Sequence, residues 1–167
     1  MFLQNRNGST LLELPEGVAG IKATLDLMRE IVIEYRKNEM VRELTANLVK
    51  DLRSKDYAGE IRKVHEYVRD QIRYLRDVHE VETLHTPDEI LFRKQGDCDD
   101  KSILVASMLQ SIGHPVRFVA IGFAPGEYEH VYPETRIGNR WVSVETTEDV
   151  NVGWNPDNVQ ARMVVHI

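Results

Sequence analysis

The chemistry this chain can do is concentrated around its single cysteine, Cys98. Cys98 sits in Gly96-Asp97-Cys98-Asp99-Asp100, where a turn gives way to a helix. Asp97 reads as the N-cap, and Asp99 and Asp100 fall in the first turn, where the helix dipole favours negative charge. A sulfur at that point faces the positive end of the dipole, one of the few settings that makes a thiolate near neutral pH. A thiol nucleophile needs a base within hydrogen-bond reach, and the base needs a third group to hold its ring. Of six histidines, only His130 opens a predicted core strand that follows the cysteine helix. The neighbouring strand carries Trp141-Val142-Ser143-Val144-Glu145, so a hairpin places Glu145 beside His130. The remaining histidines fit less well. His65 reads as a partly exposed residue on a helix margin, and His79 and His85 belong to a charged connection. His114 follows a helix cap, and His166 is near the C-terminus.

The elements that must position these residues are legible from periodicity. Ile103, Leu104, Val105, Ala106, Met108, Leu109 and Ile112 leave the cysteine helix almost no polar face, which predicts burial on most sides. Gly113 and Pro115 end it. Upstream, Leu11 to Leu14 before Pro15 reads as an edge strand or a docking arm. Helical spacing follows over Val18–Lys37, with Asn38 as a break or new cap, and again through Val41, Leu44, Leu48 and Leu52. A third helix from Asp56 carries Tyr57, Ile61, Val64, Val68, Ile72 and Leu75 on its apolar face. Thr86-Pro87-Asp88-Glu89 is a capping box with proline at the first helical position, predicting a helix to about Phe92. After Gly113 the period changes. Val116 to Phe123 reads as a strand buried on both faces, and Pro125-Gly126 as a turn. Glu129–Thr135 and Arg140–Thr146 read as strands joined at Gly138-Asn139. Val152–Asn158 reads as a loop and Ala161–Ile167 as a last strand. Helices first and antiparallel strands second make an α+β arrangement. We divide it into an N-terminal arm and helical extension, 1–56, and a core, 57–167, within one compact unit.

Bulk properties narrow the function. A chain of 167 residues can bury a real core, and 42% hydrophobic against 29% charged residues excludes a largely disordered one. A formal charge of −6 without a basic face argues against nucleic acid. One cysteine forms no internal disulfide. With no signal-peptide pattern at the start and no apolar run near the ~18 residues of a membrane span, a soluble cytoplasmic protein is expected.

The segment from about Ile61 to Trp154 resembles the transglutaminase-like superfamily, a papain-like cysteine-enzyme core. The matching features occur in one order: the Thr86-Pro87 helix start, the Gly96 to Asp100 element and its buried helix, the exit Ile112-Gly113-His114-Pro115, His130-Val131-Tyr132, and the aromatic-led strand Trp141 to Glu145. The resemblance implies Cys98 as nucleophile, His130 as base and Glu145 as orienting acid, with no cofactor. It also implies a cysteine-dependent amide hydrolase or acyltransferase working through a thioester, with a peptide or protein as substrate. Similarity to short proteins of bacteria and their phages suggests a phage or prophage origin. The family pattern has Asp where this chain has Glu145, one methylene longer, and Asp149 is a second candidate for that role. The backbone N–H of Cys98 is the natural first oxyanion donor, with Gln95 as a weak candidate for the second.

The same residues also admit simpler roles. A lone buried cysteine is most often a small apolar residue. Asp97, Asp99 and Asp100 together suggest a hard cation, though capping explains them more simply. His79 and His85 with Glu80 and Glu82 suggest zinc, though a solvated loop is the simpler account. The carboxylates around Cys98 also favour a neutral thiol, which keeps open a non-catalytic binding or assembly protein, for instance with a phage structural partner.

Overall fold

The computed structural model describes residues 15–76 and 83–167, together with the backbone of two short antiparallel strands, β1 (Phe2–Leu3) and β2 (Leu12–Glu13). His79, Glu80 and Glu82, named above as possible zinc ligands, lie outside the described residues.

Helix α1 (Gly17–Tyr35) buries Leu25, Met28 and Val32 at helical spacing. Asn38 re-caps the chain: its side chain accepts a hydrogen bond from the Val41 amide at 3.3 Å and starts α2 (Glu39–Val49). Asp56 does the same for α3 (Tyr57–Gln71), accepting from the Gly59 amide at 2.9 Å. Ile61, Val64 and Val68 of α3 are fully buried.

Both ends of the apolar face predicted for α3 need correction. Tyr57 is 53% exposed, and Leu75 lies outside the helix. At Ile72 the backbone turns extended, because the Arg73 and Leu75 amides donate to the carbonyls of Lys94 and Gly96. The result is a two-residue strand, β3 (Arg73–Tyr74), parallel to β4 (Gln95–Gly96). This pairing ties the end of α3 to the turn before Cys98. Between them, α4 (Pro87–Arg93) starts at the expected capping box, where the Thr86 amide donates to Glu89 Oε2 at 3.3 Å.

Helix α5 (Cys98–Ser111) is the centre of the molecule. It packs against α1, α2, α3 and α4 on one side and the sheet on the other. Ile103, Leu104, Val105, Ala106, Met108 and Leu109 have no exposed surface, as the missing polar face predicts. Gly113, with φ of +93°, takes the left-handed cap conformation, and the His114 amide returns to the Leu109 carbonyl at 3.0 Å. Leu104→Ala is expected to cost about 2–5 kcal/mol in a urea unfolding experiment, since the fully buried side chain lies in a packed core with little room to collapse into the cavity. A loss under 1 kcal/mol would contradict this packing.

Four strands form the main sheet: β5 (Val116–Gly122), β6 (His130–Ile137), β7 (Arg140–Ser143) and β8 (Ala161–His166), in the order β7-β6-β5-β8, each pair antiparallel. The doubly buried strand predicted at Val116 is a central one, flanked by β6 and β8. The β6–β7 register pairs Glu134 with Ser143, so regular strand pairing stops before Thr146. The ladder persists one step, with the Val144 amide donating to the Pro133 carbonyl at 2.8 Å. Among the described residues no helix is long and apolar enough to cross a membrane.

Candidate active site

Cys98 is the first residue of α5, half-buried. Asp97 caps the helix by accepting from the Asp100 amide at 3.0 Å. Asp100 is buried and turned to a different partner: its two oxygens meet the His85 amide at 2.9 Å and the His85 ring Nδ1 at 2.8 Å. That hydrogen bond raises the His85 pKa against the opposing effect of burial. Gly96 makes the arrangement possible, since a Cβ there would lie 2.6 Å from the Asp100 Cβ. Two of the three carboxylates around the thiol are therefore occupied by capping and by His85. The third is not turned away. Cys98 Sγ donates to Asp99 Oδ1 at 3.5 Å. Burial, and then the charges of Asp99 and Asp97, push the Cys98 thiol well above its ordinary value, with a backbone hydrogen bond at Val131 pulling the other way.

His130 opens β6, and its Nε2 lies 2.5 Å from Glu145 Oε2. The strand register accounts for this contact. Continuing from the pair Glu134–Ser143, Glu145 falls opposite Tyr132, and His130 is the next residue on that face. Glu145 is 1% exposed, and its other oxygen accepts from the Thr147 amide at 2.6 Å and the Thr147 hydroxyl at 2.8 Å. Burial alone would raise the Glu145 carboxyl. The His130 hydrogen bond and charge, together with Thr147, outweigh burial and hold it below the usual carboxylate range. An ionised carboxylate only accepts, so His130 Nε2 carries a proton towards Glu145, and in the neutral ring Nδ1 is the nitrogen with the lone pair. His130 and Cys98 line one cavity of about 100 Å³. The extra methylene of Glu145 is thus accommodated. Asp149 is fully exposed, 3.9 Å from Arg69, and does not approach His130.

The other supporting candidates lie elsewhere. Gln95 engages Arg73 through its side-chain oxygen at 3.4 Å and does not line the cavity beside Cys98. Trp141 packs under Arg117, 4.2 Å from the guanidinium, and edge-on to His166. His114 bonds Glu60 at 2.7 Å. Among the described residues no group of three or more His, Cys, Asp or Glu side chains is placed to hold a metal.

His65 requires a correction. It is 1% exposed, and its Nε2 donates to the Glu145 carbonyl at 2.7 Å, which ties α3 to the segment carrying the acid. Burial holds its pKa below the ordinary value. Its position beside Val64 on an amphipathic helix gave only a margin, and the distant carbonyl it serves had no sequence signal. Thr147 and Lys101 were also missed. Lys101 did carry a signal, being the one basic residue in a helix with no polar face.

Lys101 is 2% exposed, with Nζ 2.7 Å from the Ile72 carbonyl. Burial lowers its pKa from 10.5 to about 8, with Glu145 and Asp70 opposing. Because the folded value lies below the unfolded one, the unfolded chain binds the extra proton between these two pH values. Stability from this group therefore rises with pH across that window, by up to about 3 kcal/mol. Urea unfolding at the two ends of the window is expected to give a change in stability more positive in wild type than in Lys101→Met by about this amount, the raised Cys98 thiol adding the opposite slope to both. Equal pH slopes would contradict the burial of a charged lysine.

A cysteine at the start of a central buried helix, set against an antiparallel sheet that presents a histidine–carboxylate pair, defines a papain-like architecture. The family model described as the transglutaminase-like superfamily matches residues 42–146, more than half of the chain. The chain belongs to this superfamily. The match begins earlier than the resemblance suggested, taking in most of α2. Solved structures agree on the fold. A "putative protease" from Parabacteroides distasonis is similar with a TM-score of 0.65 and 13% identity over 87% of this chain and 29% of that one. A "putative cysteine protease" from Cytophaga hutchinsonii is similar with a TM-score of 0.54 and 13% identity over 78% of this chain and 47% of that one. The chain therefore spans less than half the length of either. No curated protein matches the sequence.

Proposed function

We propose that the chain is a cysteine-dependent amide hydrolase or acyltransferase acting on peptide or protein substrates, with Cys98 as nucleophile, His130 as base and Glu145 as orienting acid. The observation that carries this reading is the 2.5 Å contact between His130 and a buried Glu145, with the histidine sharing a cavity with Cys98. His130 Nδ1 takes the thiol proton, and the imidazolium so formed offsets the negative charge of Asp99 and Asp97. The thiolate attacks the carbonyl carbon. The oxyanion is met by the Cys98 backbone N–H, which at a helix start has no intrahelical partner. Collapse of this intermediate breaks the C–N bond, the leaving amine takes the proton from His130, and a thioester remains on Cys98. Water then gives hydrolysis, and an amine gives transfer.

The test is acylation by p-nitrophenyl acetate, read as released nitrophenolate and as an acetyl adduct located by peptide mass spectrometry. One equivalent on Cys98, absent in Cys98→Ala, supports the reading. An added primary amine that takes the acyl group identifies a transferase. The elevated resting thiol favours a second reading, a binding or assembly protein of the same fold, for instance in a phage particle. That reading gains if no adduct forms on Cys98.

A further inference from the structure

Resting on the acyl-enzyme reading above, we infer that α1 is the specificity wall of the site, selecting a short, neutral aliphatic group of about four carbons on the acyl side of the bond attacked. The half-open cavity shared by Cys98 and His130 is bounded by Ile21, Leu25 and Met28 of α1, with Ala120 of β5, Val131 of β6 and Tyr128 completing a mostly apolar lining. Thr24 also faces it, but its hydroxyl donates to the Gly20 carbonyl of its own helix at 3.2 Å. The wall thus favours hydrocarbon over a polar group.

Size and charge narrow the occupant. An apolar cavity of about 150 Å³ holds benzene, whereas a water needs only about 10–15 Å³. The 100 Å³ here lies between these and suits a branched chain the size of a valine or leucine side chain. Asp99 and Glu129 are also among the residues at the cavity, so an acidic acyl group approaches like charge. Helix α1 spans residues 17–35, outside the 42–146 segment that the superfamily defines. The wall is held in place by packing of α1 on α5 and β8.

The experiment compares acylation of Cys98 by p-nitrophenyl acetate, isovalerate, octanoate and succinate, each rate divided by that of the same ester with free cysteine. Wild type is expected to favour isovalerate over acetate by about tenfold to 60-fold, since each of the three extra buried carbons is worth up to about fourfold, and to disfavour octanoate for its length and succinate for its charge. Ile21 is half-buried at the cavity, so Ile21→Trp fills the space without disturbing the deepest core, and the isovalerate-to-acetate ratio is expected to fall to about one. Met28→Ala is expected to move the optimum towards octanoate. Acylation with a flat profile, or an unchanged ratio in Ile21→Trp, overturns the inference and leaves the acyl-enzyme reading standing. Failure of every ester to acylate Cys98 overturns both.

Discussion

Glu145→Gln is expected to slow acylation of Cys98 by about 10²–10⁴-fold, the range general-base catalysis contributes, although it changes one oxygen to nitrogen. The reason lies in what Thr147 requires. Its backbone amide can only donate, and it does so to Glu145 Oε1 at 2.6 Å. In the variant the glutamine carbonyl must occupy that position, so its NH₂ faces His130 Nε2. Two donors cannot pair, and the ring is driven to the tautomer with Nε2 bare and Nδ1 protonated. That tautomer has no lone pair to receive the thiol proton. Nitrogen NMR of the His130 ring is expected to show the protonated nitrogen change from Nε2 to Nδ1, with little change in melting temperature. An unaltered tautomer, or acylation within threefold of wild type, would contradict the role assigned to Glu145.

His130→Ala is expected to have at least as large an effect on acylation. Nothing else on the cavity can accept the proton in its place. Glu129 and Asp99 also line the space, and Asp99 accepts from Sγ, but a carboxylate is a much weaker base than an imidazole. The variant also strands a carboxylate that is 1% exposed, and breaking a buried pair by removing one partner costs about 3–5 kcal/mol. Thr147 retains one oxygen, so the loss should fall towards or below the lower end of that range. The double variant His130→Ala/Glu145→Gln separates the two effects. Stability is expected to recover in part, because no charge is left buried, while acylation stays lost. Recovery of acylation along with stability would mean that His130 acts through the fold and not as a base.

What was legible in the sequence follows from the range of the forces involved. Caps and periodicities are local, so Asn38, Asp56, Thr86 and Asp97 announced the helix starts, and the missing polar face of α5 announced its central place. The pairing of His130 with Glu145 was readable because a tight turn at Gly138-Asn139 fixes the register of β6 against β7. Contacts set by long-range packing were not readable. The carbonyl that His65 serves lies 80 residues away, and the strand pairing of Arg73–Tyr74 with Gln95–Gly96 overrides a helical pattern that continued to Leu75. Lys101 looked like a surface residue by type, and only the absence of any surface on α5 argued otherwise. The place of β8, last in the chain yet beside β5, depends on which sheet edge is vacant.

The central claim is that Cys98 and His130 act as one unit, and the pH dependence of alkylation tests it most directly. Iodoacetamide is small enough to enter the cavity, and its reaction reports the thiolate. In wild type, rapid alkylation is expected to persist below the ~8.5 pKa of a free thiol, because His130 Nδ1 takes the proton of the raised thiol as the sulfur attacks. In His130→Ala that rapid phase should vanish, leaving slow alkylation that rises only at alkaline pH, as a buried thiol beside carboxylates requires. The same slow alkaline profile in both proteins would contradict the account and leave Cys98 a buried, structural thiol.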